Sequence, residues 1–454
     1  MRNKILLFAF GLWQTINTNA QQGWSELGGV NTLNANSIIF CATSDGQNNI
    51  YAAGSFTNAS FNYYVAKYDG INWSELGGAN MLAATQAINS ICSDAFGNIY
   101  AAGDFTNISG NNYIAKYDGT TWSELGGLNS FAPNSYIVTV CADVFGNIYA
   151  GGNFTNSLGN YYIAKYDGIS WSELGGANSL AANGNAFCFD DANGNIYAAG
   201  GFTNSAGNKY VAKWTGSNWI ELGGLNALAA NGYIGIVSFD SFGNVYAAGN
   251  FTNSFGSRYV AKYDGIAWSE LGGVNSLAAN AVIQTLFSDS AGNVYAGGYF
   301  TNDPIFPNGW QYLAKYDGSH WTELGGANSM ANGGAIYGGC SDGNNNVYVT
   351  GKFVNSAGNF YVARYGTLSA INLAQATKFN ITLHPNPADN LLFVDTNQLL
   401  QKPEITYSIS DVFGNIIKHG IFNNDDKISI SLNDFPLGVY FFRAEGGIQK
   451  FVKY

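Results

Sequence analysis

The sequence predicts an all-β protein: a seven-bladed β-propeller closed by its own N-terminal strand, followed by a small C-terminal β-sandwich. Three observations carry this expectation. A Trp-[Ser/Ile/Thr]-Glu-Leu-Gly-Gly-x-Asn string opens at Trp24, Trp73, Trp122, Trp171, Trp219, Trp268 and Trp321, at steps of 49, 49, 49, 48, 49 and 53 residues. Such a period is the length of a propeller blade. Each unit contains four short β-type runs with turn signals between them, as at 88–93, 98–105, 113–117 and 121–125. The 454 residues also include 58 glycines for tight turns, 15% aromatics and only 7 prolines, a composition suited to strands and hairpins.

The segments follow in order. Arg2 and Lys4 precede an apolar stretch over 5–13 and a polar end at Thr18-Asn19-Ala20. Residues 1–20 thus read as a secretory signal peptide, with Gln21 first after cleavage. Residues 21–366 hold the repeats. Tyr51, Tyr100, Tyr149, Tyr197, Tyr246, Tyr295 and Tyr348 close an Asn-[Ile/Val]-Tyr string in each unit, and Asp-Gly hairpin signals such as Asp118-Gly119 precede the tryptophans. The chain starts with a lone Trp24-Ser25-Glu26-Leu27 strand and ends its seventh unit at 361–366 without one. The N-terminal strand is therefore expected to complete the last blade, leaving no open edge.

The strings Tyr-Asp-Gly-x-x-Trp-Ser-Glu-Leu, with the diglycines Gly151-Gly152 and Gly297-Gly298 before them, resemble the kelch motif, although the Tyr-to-Trp spacing departs from it. The Asp-x-x-Gly-Asn-[Ile/Val]-Tyr-x-x-Gly segments look like the seven-bladed repeats of secreted bacterial proteins. This resemblance spans about 24–366 and speaks to fold, which does not fix function.

At Thr367 the period stops. Residues 367–378 read as a linker, and 379–454 as a separate β-sandwich. Pro385-Asn386-Pro387, an Asp-x-x-Gly turn at Gly414, Leu-Gly-Val-Tyr-Phe around Gly438 and Tyr440, and a terminal Lys-Phe-Val-Lys from Lys450 occur in that order. The segment resembles the type A sorting domain of the type IX secretion system of Bacteroidota. The resemblance implies a partner, the secretion machinery, and passage through the outer membrane. Removal of the domain and release or attachment at the cell surface would follow.

The composition narrows the chemistry. A formal charge of −11 argues against nucleic acid. No apolar run approaches the ~18 residues of a membrane span. Within the propeller, His320 is the only histidine and Arg258 and Arg364 the only arginines. A two-histidine copper site and an arginine triad are thereby excluded. A Ser–His–acid or Cys–His set would have to use His320, a lone turn histidine of the ordinary solvated kind, and no metal or cofactor is expected. The 22 acids of this region leave carboxylate-dependent glycoside cleavage open. Cys41, Cys92, Cys141, Cys188 and Cys340 occupy first strands of different blades and are expected to be free, with Cys41–Cys340 as the alternative disulfide.

A residue repeated in every unit is scaffold, since a single site breaks the symmetry. The tryptophans, the Glu26-type acids and the Lys67-type bases are therefore structural, as blade-edge ion pairs or turn hydrogen bonds. The slot before each Phe-Thr/Val-Asn varies most: Ser55, Asp104, Asn153, Gly201, Asn250, Tyr299 and Lys352. It lies with the Gly-Gly-x-Asn loops on one face, here the amide face; the turns after strands one and three form the opposite, aspartate face. The longest break in the repeat, 303–310, adds Phe306 and Trp310 on the amide face. Asp104, Tyr299, Phe306, Trp310 and Lys352 are the candidate ligand-binding residues. The expected function is a secreted or outer-surface, monomeric, non-catalytic binding module for a glycan, surface polymer or protein. The alternatives are a structural or adhesive component and a carbohydrate-active enzyme.

Overall fold

In every repeat a run such as Ile99–Gly103 is buried along its whole length and forms the second strand. Ile88–Ser93 lies inside it, and the three-residue strands Ala115–Tyr117 and Trp122–Glu124 lie outside. All neighbours pair antiparallel. The ordered second strand stops at Gly103, short of the run read from the sequence, because Phe105 leaves the ladder. Phe105 turns fully into the core, edge-on to Tyr113 at 4.9 Å. The equivalent phenylalanine is buried in all seven repeats.

The computed structural model describes residues 22–45, 47–191, 193–302, 311–326, 330, 334–367, 382–395, 404–411, 416–423, 427–444 and 447–454. It divides into two compact units, the first ending at Thr367. That unit comprises seven four-stranded blades, two of which, the third and fourth, join through a Gly152–Ala186 bridge. Gly151 permits this approach: a Cβ there would lie 2.6 Å from the Ala186 carbonyl oxygen. The first strands pack in cyclic order, and that of the seventh blade, Ile336–Ser341, meets Ile39–Ser44 of the first.

The ring closes as expected. Gln22–Glu26 pairs antiparallel with Ala363–Thr367, placing Trp24 opposite Tyr365. That strand runs one residue past the boundary read at 366, because Thr367 pairs with Gln22. The indole N–H of Trp24 donates to the Leu324 carbonyl at 3.1 Å, as Trp73 donates to Leu27 at 3.0 Å and Trp171 to Leu125 at 3.1 Å. Each blade is thereby pinned to its predecessor.

One feature of the first strand is invisible in the period alone. In six blades the register shifts just after the leading isoleucine, leaving Phe40, Asn89, Val138, Gly235, Gln284 or Tyr337 as a bulged extra residue. The fourth blade, Ala186–Asp190, pairs without a shift and is one residue shorter. The 48-residue step is this missing bulge. It also sets Cys188 opposite Ala198, whereas Cys92, Cys141 and Cys340 lie opposite the tyrosines Tyr100, Tyr149 and Tyr348.

The second unit contains two sheets. Leu391–Asp395 lies between Thr382–His384 and Lys427–Ser431 in one; the other runs in the order Ile416–Asn423, Glu404–Ser410, Gly438–Ala444, Gly447–Lys453. Leu392, Val394 and Ile430 from the first share a core with Ile409, Phe442 and Phe451 from the second, which makes a sandwich. The Asn386 amide donates to the Lys450 carbonyl at 2.9 Å and its oxygen accepts from the Val452 N–H at 3.0 Å. This side chain thus mimics a strand and holds the Pro-Asn-Pro segment on the last strand. The Tyr440 hydroxyl donates to the Pro436 carbonyl at 2.8 Å. Gly438 opens the strand that carries Tyr440; Gly414 lies outside the described residues.

Candidate functional site

The acids of the propeller separate into those used by the scaffold and those that are not. In each Asp-x-x-Gly/Asn-Asn turn, one carboxylate takes four donors. Asp143 accepts the N–H groups of Phe145 and Asn147 at 2.9 Å each, the Asn147 amide at 2.7 Å and the Tyr149 hydroxyl at 2.9 Å. Asp45, Asp94, Asp191, Asp240, Asp289 and Asp342 do the same. Burial, followed by the neighbouring carboxylate, pushes the tyrosine hydroxyls above their ordinary range. In the outer turns, Asp69, Asp118, Asp167, Asp264 and Asp317 accept backbone N–H groups two and three residues on. Those bonds hold the carboxyls low, to about 2 for Asp118 and Asp317.

The expected Glu–Lys ion pairs do not form among the described residues. The glutamates instead accept an asparagine amide, as Glu75 does from Asn58 at 3.1 Å and Glu26 from Asn355 at 3.1 Å. The lysines lie over tyrosine rings, Lys67 at 5.8 Å from the Tyr51 centroid. The cause is strand alternation. Lys67 pairs with Ser74, so its side chain and that of Glu75 leave opposite faces of the blade. Of the 22 acids, Asp104, Asp190 and Asp303 do not belong to these repeated sets. Asp303 lies outside the described residues. Asp104 starts the loop after a second strand, on the amide face; Asp190 ends a first strand, on the aspartate face.

The central channel holds a cavity of about 780 Å³, running to the aspartate face past Thr139, Cys141, Cys188, Asp190, Ser238 and Cys340. All five cysteines are free. Burial pushes the Cys41 and Cys340 thiols up to about 12. Cys141 is raised by its hydrogen bond with Cys188 and by burial.

At the amide-face mouth no two blades agree. The Asn89 amide donates to Asp104 at 2.8 Å and to the Ile137 carbonyl at 3.3 Å. The Asn185 amide donates to Asn153 and to the Tyr233 hydroxyl, each at 3.1 Å, and its oxygen accepts the Gly201 N–H at 3.0 Å. The Tyr299 and Tyr337 hydroxyls share a hydrogen bond of 2.8 Å, and their rings meet edge to face at 5.7 Å. Tyr337 also meets Phe40 edge to face at 6.0 Å. Burial and the bond with Tyr299 push its hydroxyl up to about 12.

Of the residues chosen from sequence, Asp104, Tyr299 and Lys352 lie at this mouth, in the second, sixth and seventh blades; Tyr299 is 41% exposed and Lys352 exposed. Phe306 and Trp310 lie outside the described residues. Sequence reasoning missed Phe40, Asn89 and Tyr337. The available signal was a changing residue directly after an isoleucine that is otherwise constant.

Residues 382–454 match the family described as "Secretion system C-terminal sorting domain". A search of curated protein sequences finds no match. Among solved structures, YCF48 bound to D1 peptide is 14% identical with a TM-score of 0.51, over 76% of this chain and 97% of that one. PorZ, described as an essential bacterial surface component of the type-IX secretion system of Porphyromonas gingivalis, is 13% identical with a TM-score of 0.47. That match covers 92% of this chain, which spans 59% of PorZ. The β-propeller domain of the Trilobed protease from Pyrococcus furiosus is 10% identical with a TM-score of 0.48, over 72% and 96%. The likeness to YCF48 supports the propeller fold and nothing beyond it. The sorting domain marks the chain as type IX cargo, exported to the cell surface or beyond it. No described helix is long and apolar enough to cross a membrane.

Proposed function

We propose that the propeller is a non-catalytic binding module, for a glycan, a surface polymer or a protein, which takes its ligand at the channel mouth on the amide face. One observation carries this reading: the positions that change from blade to blade gather there, while the repeated acids serve the scaffold. Functional residues favour such variable positions on a rigid frame. Asp104 and Asp190 lie at opposite ends of their strands, which at ~3.3 Å per residue separates them by on the order of 15 Å. Glycoside cleavage needs two carboxyls within about 5–9.5 Å, so these acids do not form such a pair. The outer edge of each blade is a strand of only three to five residues, the short kind of edge that resists self-association, in keeping with a monomer.

A glycan array run on the full chain beside a turnover screen on polysaccharides tests the reading. Saturable binding without product is expected; steady release of product would overturn it. A second reading, an adhesive component without a discrete ligand, draws on exposed apolar loop tips of the amide face, Phe61, Ile108, Leu158 and Phe255. Adhesion that survives changes at the mouth and disappears with the tips would favour that alternative.

A further inference from the structure

We infer that the bulged residues of the first strands, with the slot beside them, form a carbohydrate site in which a sugar ring rests on the Tyr299–Tyr337–Phe40 arc and its hydroxyls bind Asn89 and Asp104. This rests on the binding-module reading and names the ligand class of the same mouth. The arc is continuous: Tyr299 is in the sixth blade, Tyr337 in the seventh and Phe40 in the first, and Asn89–Asp104 follows in the second. Three aromatic rings in successive blades are therefore followed, in the next blade around the rim, by an amide–carboxylate pair.

A sugar ring has an apolar C–H face and a hydroxyl edge. Aromatic rings with a polar tip suit the first, and the Asn89 amide oxygen beside the Asp104 carboxylate supplies acceptors for the hydroxyl protons of the second. The bulge makes the arrangement available, since an extra residue outside the ladder can change without disturbing pairing.

The test uses the full-length protein and calorimetric titration with soluble cello-, xylo-, manno-, laminari-, malto- and chito-hexaose. At least one should bind saturably, with Tyr337→Ala and Asn89→Ala each lowering affinity by about tenfold or more. Tyr299→Phe should lower it less than Tyr299→Ala, as the ring surface is kept. Tyr299 is the most exposed member, so its variants keep the test valid if Tyr337→Ala fails to fold; Phe145→Ala, on the aspartate face, should bind as wild type. Failure of every hexaose, or binding indifferent to Tyr299→Ala and Asn89→Ala, overturns the inference. A displayed random-peptide library separates the two claims. A peptide held in a Tyr299- and Asn89-dependent way would overturn the sugar assignment and leave the binding module standing. If neither class binds at the mouth, both readings fall.

Discussion

Each first strand has two ends, and they are built by different rules. At the aspartate face it enters a turn whose carboxylate receives two backbone N–H groups, an asparagine and a tyrosine hydroxyl in all seven blades. At the amide face it begins with isoleucine in six blades, followed by Phe40, Asn89, Val138, Gly235, Gln284 or Tyr337. The first end is saturated, and its aspartate is buried at Asp143, Asp240, Asp289 and Asp342, so any change leaves several donors without an acceptor. The second hangs outside the ladder, so its identity has little bearing on folding. Stability is concentrated at one face and freedom to vary at the other.

The sharpest test of that contrast removes one side chain from each end. Asp143 is 3% exposed, and Asp143→Ala strands four donors, which should destabilise the fold by about 3–5 kcal/mol. Asn89→Ala should stay within about 1 kcal/mol. Denaturant titration that ranked them in reverse order would break the comparison.

Ring closure gives an effect of similar size at a place where termini ordinarily fray. Because Trp24 makes the same indole bond as Trp171, Trp24→Ala and Trp171→Ala should each cost about 3–5 kcal/mol. A near-native Trp24→Ala protein beside a badly destabilised Trp171→Ala protein would dissolve the equivalence of the seventh blade with the third.

The pH dependence is smaller per group but repeated. The turn tyrosines are raised in the folded chain, so it keeps protons that the unfolded chain loses. Their contribution is full below the unfolded value of about 10 and declines as pH rises above it. The share of phenolate absorbance that belongs to these seven of the 29 tyrosines, read as the difference from a Tyr149→Phe protein and its six counterparts, should thus appear together with unfolding. Its gradual appearance at intact structure would contradict the network. In the acid limb the outer-turn carboxyls are depressed, to about 2 at Asp118 and Asp317. Their contribution is present above about 4 and fades as pH falls toward 2, so the melting temperature should decline across that window.

The mildest probe is chemical. Five free thiols should all be modified when the unfolded protein is alkylated and weighed intact. Two or four protected cysteines would show that blades are cross-linked.

The repeat made the blades, their number and the closing strand readable, since Trp24 without a preceding unit and a seventh unit without a tryptophan leave one solution. Pairing partners were less accessible. Lys67 and Glu75 look like an ion pair along the chain, yet an even or odd offset across a hairpin decides whether two side chains share a face. The bulges escaped for a related reason: they leave no mark on the period except where one is missing, at the 48-residue step. Asp104, Tyr299 and Lys352 stand out in the sequence because they vary beside a constant phenylalanine. Their partners Asn89 and Tyr337 vary just as much, but their nearness depends on strands 15 or more residues away.

The closing strand also has a consequence in time. Trp24 bonds to a carbonyl 300 residues further along, so the first strand to emerge waits for nearly the whole domain before its partner exists. Such distant contacts carry a large loop-closure entropy and fold slowly. Until Ala363–Thr367 arrives, the nascent ring has an unpaired edge at each end of the array, and a prematurely ended chain would keep both. The sorting segment comes after that strand. A chain that presents it has therefore already been supplied with everything needed to shut the ring.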